Sequence, residues 1–110
     1  QEAQMKTSPT QLTLKELRKA TDCVQVVEHW CQFSRRRKDL FGFVDVLACA
    51  GSETIAVQTT SWNNVSARAK KMSESPYLDC LRRAGWKILI HGWKKNDKTN
   101  RYELKVLDLS

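Results

Sequence analysis

Two polar residues stand inside apolar runs, and both are of types that hold divalent cations. Asp45 lies in Phe41-Gly42-Phe43-Val44-Asp45-Val46-Leu47, and Gln58 in Ile55-Ala56-Val57-Gln58-Thr59-Thr60. An ionised carboxylate is costly to bury unpaired, so Asp45 needs a partner or a metal. Strand side chains alternate, so Gln58 and Thr60 share a face, and normal hairpin pairing makes Asp45 and Gln58 converge near the strand ends. Carboxylate and amide oxygens are the hard donors that suit Mg²⁺ or Mn²⁺. Glu28, alternating with Val24, Val26 and Trp30, is another carboxylate among apolar neighbours, and Asp39 is a lesser source. Glu28 also reads as a strand-face residue paired to an Arg or Lys.

Basic residues flank this pair. Arg35-Arg36-Arg37-Lys38 precedes the Asp45 run, and Arg68, Lys70 and Lys71 follow the Gln58 run. A phosphate backbone would run between such flanks. Trp62 and Asn63 directly follow the second run, where an aromatic stacks on an unpaired base or lids the core. Nineteen Lys and Arg against twelve Asp and Glu give a net charge of +7, which favours a polyanionic partner. Lys70 and Lys71 read also as a solvated helix face, and the arginine run as a solvated loop. His91, alternating with Leu89 and Trp93, reads as structural.

The elements that must position these residues follow from pattern and punctuation. Ser8-Pro9-Thr10-Gln11 is a capping box with proline at the first helical position, and Leu12, Leu17 and Ala20 give that helix an apolar side. Val24–Trp30 reads as a strand, 34–38 as a polar loop, Phe41–Cys49 as a central strand and Thr54–Thr60 as its hairpin partner. Asn63 or Asn64 caps a helix to about Glu74, and Ser75-Pro76 starts another that Gly85 ends. Trp86–Trp93 and Arg101–Leu109 read as strands joined by a turn at 96–100. The order is αβββα(α)ββ, an α/β architecture with a mixed five-stranded sheet flanked by helices.

At 110 residues the chain has the length of one domain, assigned to 8–110, with 1–7 read as a leader. No apolar run approaches the ~20 residues that span a bilayer, and no membrane partner is expected. The start lacks a secretory pattern. Cys23, Cys31, Cys49 and Cys80 are scattered without metal-ligand spacing, so reduced thiols and a cytoplasmic location are expected.

In its element order and its aspartate hairpin the chain resembles the PD-(D/E)xK nuclease-like superfamily, the restriction-endonuclease fold. Holliday-junction-resolvase-like and small phage-encoded members are the nearest in kind. Asp45 matches the motif aspartate, and Gln58-Thr59-Thr60 falls where the family carries (D/E)-x-K. The resemblance implies a restriction-endonuclease-like domain in a bacterial or phage-infected cell. It implies a Mg²⁺- or Mn²⁺-dependent DNA nuclease hydrolysing phosphodiesters, structure-specific in the manner of junction resolvases, and a homodimer as in resolvases of this fold. Asp45, Gln58 and Glu28 would hold the metal, with Thr60 at the lysine position and Lys70 or Lys71 supplying its charge. Arg35, Arg36, Arg37, Lys38, Trp62, Asn63, Arg68 and Lys71 would meet the nucleic acid. Gln58 lends an oxygen without charge and Thr60 supplies none. The alternative is therefore a nuclease-fold protein that binds nucleic acid without cleaving it; a protein-interaction module is a third class.

Overall fold

A computed structural model describes residues 7–110. The leader reading falls almost wholly outside them. Helix α1 (Pro9–Arg18) starts where the capping pattern places it, with Ser8 Oγ accepting from Gln11 N–H at 3.2 Å and proline in the first turn. Its buried side is Thr13, Leu14 and Leu17, whereas Leu12 is half-buried and Ala20 exposed. After β1 (Cys23–Val26) comes a small hairpin, β2 (His29–Cys31) with β3 (Arg36–Lys38). Strands β4 (Val46–Ala50) and β5 (Glu53–Ser61) form the central hairpin. A 3₁₀ turn at Trp62–Asn64 leads into α2 (Val65–Ser73) and α3 (Pro76–Arg83), and then β6 (Lys87–Asn96) and β7 (Arg101–Asp108) complete the chain.

The main sheet has the order β1-β4-β5-β6-β7. Its β5–β6 pair is parallel and its other pairs are antiparallel, so the sheet is mixed as expected. Parallel neighbours need a crossover, and α2 with α3 supplies it. Alternation along the strands divides the core between the two faces. Val46, Ala48, Ile55 and Val57 pack with Leu14 and Leu17 of α1. Ala56, Ile88 and Ile90 pack with Val65, Met72, Leu78 and Leu81 of α2 and α3. Helices therefore cover both faces of the sheet. At Gly92 the start of α2 comes so close that a Cβ would collide with the Val65 side chain. Among the described residues, no helix is long and apolar enough to cross a membrane.

Two expected strands are shorter than their composition suggests. The run Val24–Trp30 breaks after Val26, opposite the start of β4 at Val46, and a last hydrogen bond from Val27 N–H to Asp45 C=O at 2.8 Å ends the ladder. The chain instead turns out into β2, which pairs with part of the expected polar loop. In the run Phe41–Cys49 only Val46–Ala50 is strand. Phe41 has φ 55° and Gly42 φ 82°, a left-handed pair that no strand accommodates. A bulky residue in that region carries backbone strain, typically about 1–3 kcal/mol. Cys23 and Cys80 are exposed, and all four cysteines are free thiols.

Candidate functional site

The β4–β5 register pairs Val46 with Val57, so the next residues outward, Asp45 and Gln58, face each other where the ladder ends. Both are buried, at 3% and 5% exposure. Gln58 Nε2 donates to Asp45 Oδ2 at 2.6 Å, Thr59 N–H at 2.8 Å and Thr59 Oγ1 at 3.1 Å. Three donors thus converge on one carboxylate oxygen. The connection from β1 to β2 brings Glu28 to the same place, and the end of β3 brings Asp39. One carboxylate oxygen from each of Glu28, Asp39 and Asp45 lies within 4.8 Å of the others.

This cluster has more acceptors than protons. Thr59 gives its single hydroxyl proton to Asp45, so Thr10 must donate to Thr59 across their 2.9 Å contact. Glu28 Oε1 is then left with a long 3.4 Å approach from Thr10 and Arg37 Nη1 at 3.6 Å. Burial pushes the Asp45 carboxyl up to about 8, opposed by the Thr59 N–H. A hydrogen bond with Asp39 and the charges of Asp39 and Glu28 push it the same way as burial. Gln58 spends its amide N–H on Asp45 and on Thr59 C=O, and no donor among the described residues reaches its carbonyl oxygen. A cleft of about 410 Å³ opens over these groups, with Thr60, Arg37 and Arg68 also in its walls.

The chemistry of the donors fits a hard dication. Carboxylate, amide and hydroxyl oxygens are the ligands of Mg²⁺ and Mn²⁺, and the spacing is within the reach of one ion at 2.0–2.6 Å from each oxygen (about the usual range). The excess of negative charge and lone pairs is what such an ion neutralises.

The basic residues expected at the nucleic acid go to different places. Arg37 turns to Glu28 and the cleft. Arg36 and Lys38 line an adjoining groove of about 490 Å³ with Lys71 and Asp39. Arg35, with φ 55°, sits at the hairpin turn beside Trp30, away from the acids. Lys70, expected to replace the motif lysine, is exposed and does not line the cleft. The helix period gives the reason. With Val65 and Met72 against the sheet, position 68 lies at the edge of the buried side and position 70 swings outward. Arg68 is the helix cation that reaches the cleft.

Trp62 is half-buried, with Lys94 Nζ 4.2 Å and Lys105 Nζ 4.9 Å from its ring centre. Two lysines therefore occupy the ring offered for base stacking. Asn63 is exposed in the 3₁₀ turn. His91 belongs to a separate buried network. Trp93 Nε1 donates to Thr13 Oγ1 at 2.9 Å, and the same hydroxyl is hydrogen-bonded to His91 Nδ1 at 3.2 Å, the direction of that bond following the histidine tautomer. Burial holds the His91 imidazole down to about 4, with Glu16 opposing.

Sequence reasoning ranked Asp39 too low and passed over Thr10 and Thr59 as site residues. The clue to Asp39 was Gly42, whose presence in an apolar run marks a turn that brings position 39 back toward 45. Thr10 had no comparable signal, since α1 docks through tertiary packing. No protein-family model matches the chain, and neither a curated protein nor a solved structure does.

Proposed function

We propose that the chain is a divalent-metal-dependent DNA nuclease of the PD-(D/E)xK kind, hydrolysing phosphodiesters at the cleft over Asp45. The observation that carries the reading is the convergence of Glu28, Asp39 and Asp45 at the end of the β4–β5 hairpin, beside Gln58. Asp45, Glu28 and Asp39 would hold Mg²⁺ or Mn²⁺, while Gln58, expected as a further ligand, turns its amide N–H and not its carbonyl to Asp45. When bound, such an ion polarises a phosphate oxygen and lowers the pKa of water.

The chain's own residues do the rest. Thr59 and the Gln58 amide fix the Asp45 carboxylate through three hydrogen bonds to Oδ2. Arg37 and Arg68, both in the cleft walls, orient the scissile phosphate and offset charge that develops on it. Arg36, Lys38 and Lys71 carry the adjoining backbone along their groove. Thr60 brings no cation to the motif position, so Arg68 takes over its electrostatic part.

That neutral Thr60 also favours a second reading, a nuclease fold that binds DNA and does not cut it. Incubation with linear, single-stranded and branched DNA in Mg²⁺ or Mn²⁺ separates the two. The nuclease reading expects cleavage that Asp45→Asn abolishes while binding persists. Tight binding with no cleavage of any form by the parent protein sinks it.

A further inference from the structure

Next to the acid cleft, on the α2 and α3 side of the sheet, lies a second opening of about 270 Å³ with mostly apolar walls. Water occupies about 30 Å³ per molecule in the liquid, so this is room for a ring system and not for a solvent molecule or two. Phe41 and Tyr77 stand at it with their rings partly exposed, 5.4 Å apart and tilted by 42°. Phe43 and Met72 form its buried floor. The backbone of Phe41 holds its left-handed φ of 55° here, so the ring is kept in place against a conformational cost.

Two polar features tie this opening to its neighbours. Gln58 lines both it and the acid cleft, is 5% exposed, and has a carbonyl oxygen that no donor among the described residues reaches. Lys71 lines both it and the basic groove that contains Arg36, Arg37 and Lys38. An occupant suited to all of this is flat and aromatic, carries an N–H donor, and is joined to an anionic backbone. Glu74 at the wall adds a second acceptor for such donors.

We propose that this opening binds one unpaired nucleobase, stacked against Phe41 and Tyr77 with an N–H of the base donating to the Gln58 carbonyl. The inference rests on the nucleic-acid part of the reading above and sharpens its substrate class. The chain selects strands with an unstacked nucleotide beside the cleft, such as single strands, flaps or branch points, over intact duplex. A paired base is held in the duplex stack and cannot enter without being extruded.

The test needs no cleavage. A fluorescein-labelled single-stranded oligonucleotide carrying one 2-aminopurine, and its matched duplex, are titrated with the full chain in EDTA. The expected results are preferential single-strand binding and a change in 2-aminopurine emission. Tyr77→Ala, on the half-exposed side of α3, and Phe41→Gly, which also suits the left-handed backbone, should each weaken single-strand binding by about tenfold. Duplex binding and thermal midpoints should stay at parent values. Parent-like single-strand binding in both variants overturns the proposal, as does an equal loss on duplex. A dimer that dissociates on Tyr77→Ala also overturns it, assigning the opening to a second copy of the chain. Aromatic-dependent single-strand binding in a protein that cuts no DNA would leave the proposal standing and remove the nuclease.

Discussion

The molecule buries two polar clusters near the same sheet, and they are built on opposite principles. In the Thr13–His91–Trp93 network one hydroxyl accepts from the indole and shares a hydrogen bond with the imidazole, so each polar group finds a partner within the chain. In the acid cleft, three carboxylates meet two hydroxyls and one amide, and acceptors outnumber protons. The first arrangement balances its charges with what the chain provides and gains rigidity. The second balances only when something positive is added to its ionised carboxylates, either a proton held between Asp45 and Asp39 or a cation. Both clusters are buried, so burial does not separate them; the balance of donors and acceptors does.

Paired substitutions break the comparison most sharply. Asp45→Asn should cut the rate of cleavage by about a thousandfold, the loss expected when several kcal/mol of transition-state stabilisation go. Its thermal midpoint should stay put or rise, because like-charge repulsion with Asp39 and Glu28 disappears. Thr13→Val should do the reverse. It strands the Trp93 N–H and the His91 nitrogen at about 1–3 kcal/mol for each group, and leaves cleavage per folded molecule unchanged. Thermal melts and a cleavage assay on both variants give the four numbers. Loss of stability in the first or of activity in the second would erase the distinction.

Acidity gives a smaller, graded effect. The His91 imidazole titrates near 4 in the folded chain and near its ordinary 6.5 when unfolded. Folding therefore keeps a neutral histidine, and the unfolded chain binds the extra proton as pH falls. Stability from this group is intact above about pH 6.5 and declines by roughly 3 kcal/mol as pH drops to 4. Urea melts of the parent and of His91→Gln across that window isolate this group, because the Asp45 carboxyl, raised to about 8, acts in the opposite direction in both. The stability of the parent relative to the variant should fall as pH drops from 6.5 to 4.

The smallest effect separates neighbours on one helix. Arg68→Ala should reduce the salt dependence of DNA binding by about one phosphate contact, a log–log slope change near 0.9. Lys70→Ala should leave the slope nearly unaltered. Equal changes in the two would mean that the helix presents its outer side to DNA.

Much of the site was readable because it is local. Asp45 and Gln58 are opposite each other in a hairpin whose turn and apolar alternation are explicit in the chain. Ser8 and Ser75 with their prolines likewise mark helix starts by short-range chemistry, and both caps form, Ser75 Oγ accepting from Tyr77 N–H at 3.2 Å. What escaped was tertiary. Glu28 was expected beside Asp45, but the detour through β2 and β3 that carries it there and brings Asp39 in as its equal is an event that no local propensity encodes. Composition made Arg68 and Lys70 equivalent, and only the docking of Val65 and Met72 separated them.

The parallel pairing of β5 with β6 also sets an order of assembly. Asp45 and Gln58 are 13 residues apart in sequence, whereas Thr13 and His91 are 78 apart. Closing the longer loop costs about 1.5 kcal/mol more in chain entropy. The central hairpin can therefore close early, while α1 has no histidine or indole to bind until β6 has been laid beside β5. Damage to the hairpin should then slow folding, and damage at Thr13 should chiefly hasten unfolding. Thr13 leaves the ribosome long before His91 and Trp93, and should be among the last residues to complete its native hydrogen bonds.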